Sequence, residues 1–176
     1  MRTVITLFFA LAMLLQAAAP VPRKAAELKV VEPSGNQLLL SAQKGKVVVV
    51  QFLFTWCSHC QDTARTLSKL QNELGPKGLQ VIGLAFNDEV QTKDVAKNNS
   101  EVLKFKAYAS FPVGITTKET VLNYLGFSIL DKWGVPLMLI VDKKGMVVAQ
   151  SKVSGSPELQ QEASLRTTLT KLLAEK

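Results

Sequence analysis

Cys57 and Cys60 are the only cysteines in the chain, and Ser58 and His59 separate them. Thiols at this spacing can close a disulfide across a single helical turn. A thiolate on Cys57, the outer member, would attack a partner disulfide, and Cys60 would resolve the mixed disulfide by attacking Cys57. Two other chemistries use the same residues. A structural bridge is one, although closing so short a loop removes little chain entropy. Metal ligation by Cys57, His59 and Cys60 is the other. Zinc sites usually draw a fourth ligand from elsewhere, yet the chain has no second histidine and no second cysteine pair, and Asp62 would reach only with contorted geometry. His59 has a further role open to it. As an imidazolium, or through an N–H directed at sulfur, it would favour the Cys57 thiolate and make the disulfide more oxidising. The bland alternative is a solvent-facing or capping residue.

The elements around the pair must hold it at the mouth of a helix. Residues 47–54 form an apolar run rich in valine and phenylalanine that ends at Thr55-Trp56-Cys57, which reads as a buried central strand. After Cys60, the spacing of Ala64, Leu67, Gln71 and Leu74, widened by Leu70, predicts a helix from about 59 to 74, stopped by Gly75-Pro76. The first turn of that helix offers free N–H groups and the positive end of its dipole to an anion such as a thiolate.

The rest of the chain reads as one α/β domain. Pro33-Ser34-Gly35-Asn36 is turn chemistry inside a small N-terminal hairpin over 30–40, and residues 79–86 form a second buried strand. Strand, helix, strand at these lengths implies a crossover and a parallel pair. Residues 87–93 read as a loop, 95–108 as a helix, with two pieces divided near Asn98-Asn99-Ser100 as the alternative, 111–115 as a short strand, and Thr117–Thr120 as the start of a helix burying Val121, Leu122 and Leu125. Trp133-Gly134-Val135-Pro136 leads into strand 137–141. Asp142-Lys143-Lys144-Gly145 turns it back into 146–150, and Leu165, Leu169, Leu172 and Leu173 stripe a terminal helix. Pro136 suits the start of a strand, where either a trans or a cis bond fits the sequence.

The 176 residues carry a formal charge of +7 from 21 basic and 14 acidic side chains. The lysines, among them Lys24, Lys29, Lys44, Lys46, Lys77, Lys93, Lys97, Lys104 and Lys106, are scattered along the sequence with no interleaved aromatics, which argues against nucleic-acid binding. Arg2, the uncharged run Val4–Leu15 and Ala17-Ala18-Ala19 have the layout of a secretory signal peptide over 1–19, an uncleaved anchor being the alternative; 20–27 then reads as a flexible tail and 28–176 as the folded domain. Export to a periplasm or similar extracytoplasmic space agrees with a reactive cysteine pair. The expected state is a monomer without cofactor or metal.

Taken together, Trp56-Cys57-Ser58-His59-Cys60, Gly134-Val135-Pro136, Lys44-Gly45-Lys46-Val47, Phe111-Pro112-Val113 and Leu139-Ile140-Val141-Asp142-Lys143-Lys144-Gly145 resemble the thioredoxin superfamily, and within it the TlpA-like thiol–disulfide oxidoreductases near the AhpC/TSA group. The resemblance runs over about 28–173. It implies a three-layer sandwich, with a central mixed sheet, helices on both faces and an N-terminal hairpin. It also implies Cys57 as nucleophile, Cys60 as resolving residue, Trp56 covering the site, and a cis Pro136 whose neighbour Val135 offers backbone to a client peptide. The implied partners are client proteins with thiols or disulfides and an upstream membrane or soluble dithiol donor. The residue between the cysteines, His59, is similar to that of disulfide isomerases and dithiol oxidases.

The departures are specific. Gln51 stands where thioredoxins bury an aspartate, Thr63 where TlpA-like reductases place a glutamate, Arg65 where a proline bends the helix, and Leu137 where a polar residue follows the proline. Neither usual acceptor for the Cys60 proton is present, leaving water, Asp62 or Glu89. A peroxiredoxin would need a threonine and a proline where Phe54 and Val50 stand. The readings from other classes are a non-catalytic secreted binding protein of the same fold with a structural disulfide, and a metal-delivery protein using Cys57, Cys60 and His59.

Overall fold

The computed structural model describes residues 18–87 and 95–175, the side chains of 95–97 excepted. Residues 1–17, which hold most of the expected signal peptide, and Glu89 lie outside the described residues.

The run that looked like a buried strand is one. β4 (Val47–Leu53) is buried along its whole length. It lies in the middle of a six-stranded sheet of order β1-β8-β7-β4-β5-β6, where β1 is Arg23–Lys24, β5 is Leu79–Ala85, β6 is Val113–Ile115, β7 is Leu137–Val141 and β8 is Met146–Gln150. β4 pairs parallel with β5 and antiparallel with β7, so the sheet is mixed. Alternate β4 side chains enter two different cores, which is why the run shows no polar alternation. Val47, Val49 and Leu53 pack with Ala64, Leu67 and Leu70 of helix α1 (Ser58–Leu74), with Val102 and Phe105 of α2 (Val95–Phe105), and with Leu165 and Leu169 of the terminal helix α4 (Glu162–Ala174). Val48, Val50 and Phe52 face the other way, onto Val121, Leu122 and Leu125 of α3 (Lys118–Leu125) and onto Leu28, Val30 and Leu40. The result is a thioredoxin-like three-layer α/β sandwich.

The N-terminal hairpin pairs β2 (Lys29–Val31) with β3 (Gln37–Leu39) around Gly35, whose φ of 87° suits the turn. It sits directly on β6. A Cβ on Gly114 would stand 2.7 Å from the Val31 carbonyl oxygen, so only glycine admits this contact.

Three details differ from the sequence reading. Residues 20–27, read as a tail, carry the edge strand β1, with Arg23 opposite Val147 and Lys24 opposite Met146. The Arg23 guanidinium donates to the Tyr124 carbonyl at 2.8 Å, and the Tyr124 hydroxyl donates to the Ala26 carbonyl at 2.9 Å, which ties this segment to α3. α2 ends at Phe105 rather than Tyr108, because Ala107 and Tyr108 close tighter turns onto Lys104 and Phe105. The strand expected over 111–115 is confined to Val113–Ile115.

Candidate active site

β4 delivers the chain to Thr55, where a buried Asn87 at the end of β5 fixes the loop. Asn87 Oδ1 accepts the Thr55 backbone N–H at 3.0 Å, and Asn87 Nδ2 donates to Thr55 Oγ1 at 3.1 Å. Gln61 Nε2 donates to the Thr55 carbonyl at 3.1 Å from the first turn of α1. The reading of residues 87–93 as a plain loop missed this role. Its one sequence signal was a carboxamide placed directly after a buried strand. Asn87→Ala leaves the buried Thr55 N–H without an acceptor. It is expected to lower stability by about 2 kcal/mol in denaturant unfolding and to slow thiol exchange by loosening the loop.

Cys57 is the N-cap of α1. Its backbone is extended, and its Sγ accepts the Cys60 backbone N–H at 3.3 Å. The sulfur therefore occupies the position where a serine or aspartate oxygen usually satisfies the first turn, and the helix N-terminus favours negative charge there. Cys57 is half-buried, whereas Cys60, one turn on, has no exposed surface; both are free thiols. Burial pushes the Cys60 thiol up. Its hydrogen bond to Cys57 and the charge on that sulfur push the same way, and a backbone hydrogen bond at Phe54 opposes them. Cys60 thus keeps its proton while the outer sulfur is presented.

The second wall of the site comes from the loop that enters β7, the antiparallel neighbour of β4. The Val135–Pro136 peptide is cis, and the Val135 carbonyl oxygen lies 3.9 Å from Cys57 Sγ. Two contacts hold this loop. Met138 N–H donates to Ser151 Oγ at 2.8 Å, and Gln160 Nε2 reaches the Pro136 carbonyl at 3.4 Å. Trp56 is 60% exposed and stacks on Phe54 with centroids 5.1 Å apart. Phe54 leans on Phe86, and Phe86 on Trp133, so an aromatic column joins the cysteine loop to the proline loop.

The structure thus brings Trp56, Cys57, Cys60, Val135 and Pro136 together. His59 is exposed and borders a shallow hollow with Asp62, Thr63, Gln160 and Gln161. Gln51 shares the face of Val47 and Leu53, which directs it beneath α1, and its Nε2 donates to the Cys60 carbonyl at 2.9 Å. Its Oε1 is buried without a partner among the described residues. Asp62, one of the suggested proton acceptors, points outward to Arg65 at 2.6 Å, and both side chains are largely exposed. Thr63 is buried. Among the described residues, no three histidine, cysteine or acidic side chains gather in a metal-holding group.

A family model described as AhpC/TSA family matches residues 21–166. The chain belongs to the AhpC/TSA family. Within curated proteins, it is 29% identical over 132 residues to the thiol-disulfide oxidoreductase ResA of Bacillus anthracis, covering 74% of this chain and 68% of that one. Among solved structures, a thiol:disulfide interchange protein of the thioredoxin family from Chlorobium tepidum superposes with a TM-score of 0.67 at 21% identity, over 89% of this chain and 100% of the other. The thioredoxin domain of a thiol-disulfide oxidoreductase from Bacteroides vulgatus gives 0.65 at 23% identity, over 88% and 99%. At these identities the superpositions establish the thioredoxin fold. This AhpC/TSA member carries a paired-cysteine site, and Phe54 and Val50 stand where the peroxidatic pattern would place threonine and proline.

Proposed function

We propose that the chain is a TlpA-like thiol–disulfide oxidoreductase that exchanges disulfides with proteins outside the cytoplasm through the Cys57–Cys60 pair. One observation carries this reading: a half-buried sulfur capping a helix, with a fully buried thiol one turn behind it. The ResA relative supports the activity. The signal-peptide layout of residues 1–19 supports the compartment.

In the reducing direction, the Cys57 thiolate attacks one sulfur of a client disulfide. A Cys57–client bond forms, the client S–S bond breaks, and the second client sulfur leaves as a thiolate. That thiolate takes up a proton from solvent, and Cys60 loses its own proton to solvent, because Gln51 and Thr63 provide no base. The Cys60 thiolate then attacks Cys57 Sγ, forming the internal disulfide and releasing the first client sulfur. The client gains two electrons, and an upstream dithiol donor returns them to the pair. The oxidising direction is the reverse, and the potential of the pair relative to its partners decides which one runs. Trp56 and the Val135 backbone flank the incoming polypeptide, with Pro136 closing the wall beside Cys57.

His59 tunes the pair from the first turn. It stands two residues from Cys57 on the first turn of α1, where an imidazole N–H turned towards the sulfur would favour the reduced pair. His59→Ala is therefore expected to make the potential more negative by up to about 30 mV, equivalent to roughly 1.4 kcal/mol. A glutathione redox titration reads this directly, and an unchanged potential removes His59 from the site.

The function itself is tested by expressing Cys60→Ser in a host envelope and isolating mixed disulfides. Covalent adducts to client proteins through Cys57 are expected, and they should disappear on reduction. The absence of adducts, with equal recovery of protein, contradicts the reading.

A further inference from the structure

Lysines far apart in the sequence meet at the end of the sheet opposite the cysteines. Lys24 of β1, Lys44 before β4 and Lys144 in the β7–β8 turn line one pocket. The Gly45 N–H donates to the Lys143 carbonyl at 3.0 Å and the Val47 N–H to the Gly78 carbonyl at 3.0 Å, which draws Lys46 and Lys77 to the same end. Lys24, Lys44, Lys46, Lys77 and Lys144 are all exposed. None forms an ion pair among the described residues, where the salt bridges involve Arg65, Lys69, Lys104, Lys106 and Arg166 instead.

Two of the acids at this end accept backbone N–H groups. Glu27 Oε1 accepts the N–H groups of Leu28 and Ser41, and Asp142 Oδ1 those of Lys144 and Met146. Lys143 differs from its neighbours. Its Nζ donates to the Leu173 and Glu175 carbonyls at 2.6 and 2.7 Å, closing the end of α4. Six lysines, Lys143 included, therefore stand at this end beside Glu27, Asp142 and Glu175.

We infer that this lysine pole is a docking surface for an anionic lipid bilayer, holding the domain with its cysteines facing away from the membrane. Two features favour lipid. The charges are lysines, point charges on flexible stems suited to a diffuse layer of phosphates. The residues lining the Lys24–Lys44–Lys144 pocket include no aromatic ring on which a nucleic-acid base could stack. β4 separates the lysine pole from the cysteine loop by roughly 25 Å at about 3.3 Å per residue. Docking by one pole thus leaves the Trp56–Val135 face open to clients. This inference is independent of the redox reading.

The test uses the full chain and vesicles of phosphatidylcholine alone or with phosphatidylglycerol, sedimented at low and high salt. Any leader-driven association appears with both lipids and survives salt. The lysine pole should add at least about a tenfold preference for the anionic vesicles at low salt, and high salt should abolish it. The triple variant K44E/K46E/K144E should lose that preference, and K44R/K46R/K144R should keep it. K118E/K132E/K152E, which changes the net charge equally at the cysteine end, should keep it too. Equal binding to the two vesicles, equal loss in both glutamate variants, or tighter binding to polyglutamate or a single-stranded oligonucleotide than to the anionic vesicles would each overturn the assignment.

Discussion

Cys57→Ser is expected to abolish disulfide exchange while leaving stability within about 0.5 kcal/mol of the wild type, because a serine oxygen can cap α1 in place of the sulfur. Cys57→Ala should lose the same activity and, in addition, about 1 kcal/mol of stability with the cap. An insulin- or peptide-disulfide reduction assay, together with urea unfolding of the reduced proteins, checks both halves. The pairing of variants separates chemistry from architecture. If the sulfur only capped the helix, serine would preserve function; if it only reacted, alanine would be no less stable than serine. The loss of exchange should reach at least about a thousandfold, since no other thiol in the described structure is exposed enough to replace Cys57.

The second large effect is in pH dependence. Burial raises the Cys60 pKa, and burial persists after Cys57 has been consumed in a mixed disulfide, when the hydrogen bond and the charge from Cys57 no longer contribute. Resolution requires the Cys60 thiolate. Well below its raised pKa, the thiolate fraction grows about tenfold for each unit of pH. The rate of mixed-disulfide decay should therefore climb about tenfold per unit through the neutral range, with no plateau near the ordinary thiol value. Stopped reactions of the wild type with a peptide disulfide, quenched in acid and analysed by mass, follow that decay. A flat profile would mean that a nearby base removes the proton, which neither Gln51 nor the outward-facing Asp62 is placed to do. The same shift bears on stability. A folded-state thiol pKa above the unfolded value contributes stability that is fully present below the unfolded pKa, about 8.5, and is lost as pH rises towards the folded pKa.

The site was legible in the sequence wherever chemistry and local punctuation coincided. The unalternating run before Trp56, the paired cysteines and the helical stripe from Ala64 to Leu74 placed strand, loop and helix within a residue of their observed bounds. The apolar run made sense only for a strand covered on both faces, and both covers are present. Contacts between distant segments were not legible. Nothing in the spelling of Asn87 announces that it accepts the Thr55 N–H across two strands, and nothing in Arg23–Lys24 announces an edge strand whose partner lies more than a hundred residues on. The lysines illustrate the same limit. Their spacing looked like a dispersed solvated surface, yet the sheet collects five of them at one pole. Register and topology set such proximities, and local periodicity does not report them.

The most direct measurement is competitive alkylation of the fully reduced protein, with each cysteine quantified by mass spectrometry over time. Modification of Cys57 is expected to outpace that of Cys60 by at least about tenfold at neutral pH, because one sulfur faces solvent at a helix N-terminus and the other is sealed beneath α1. Equal rates at the two positions, or faster reaction at Cys60, would contradict the assignment of an outer nucleophile and an inner resolving thiol.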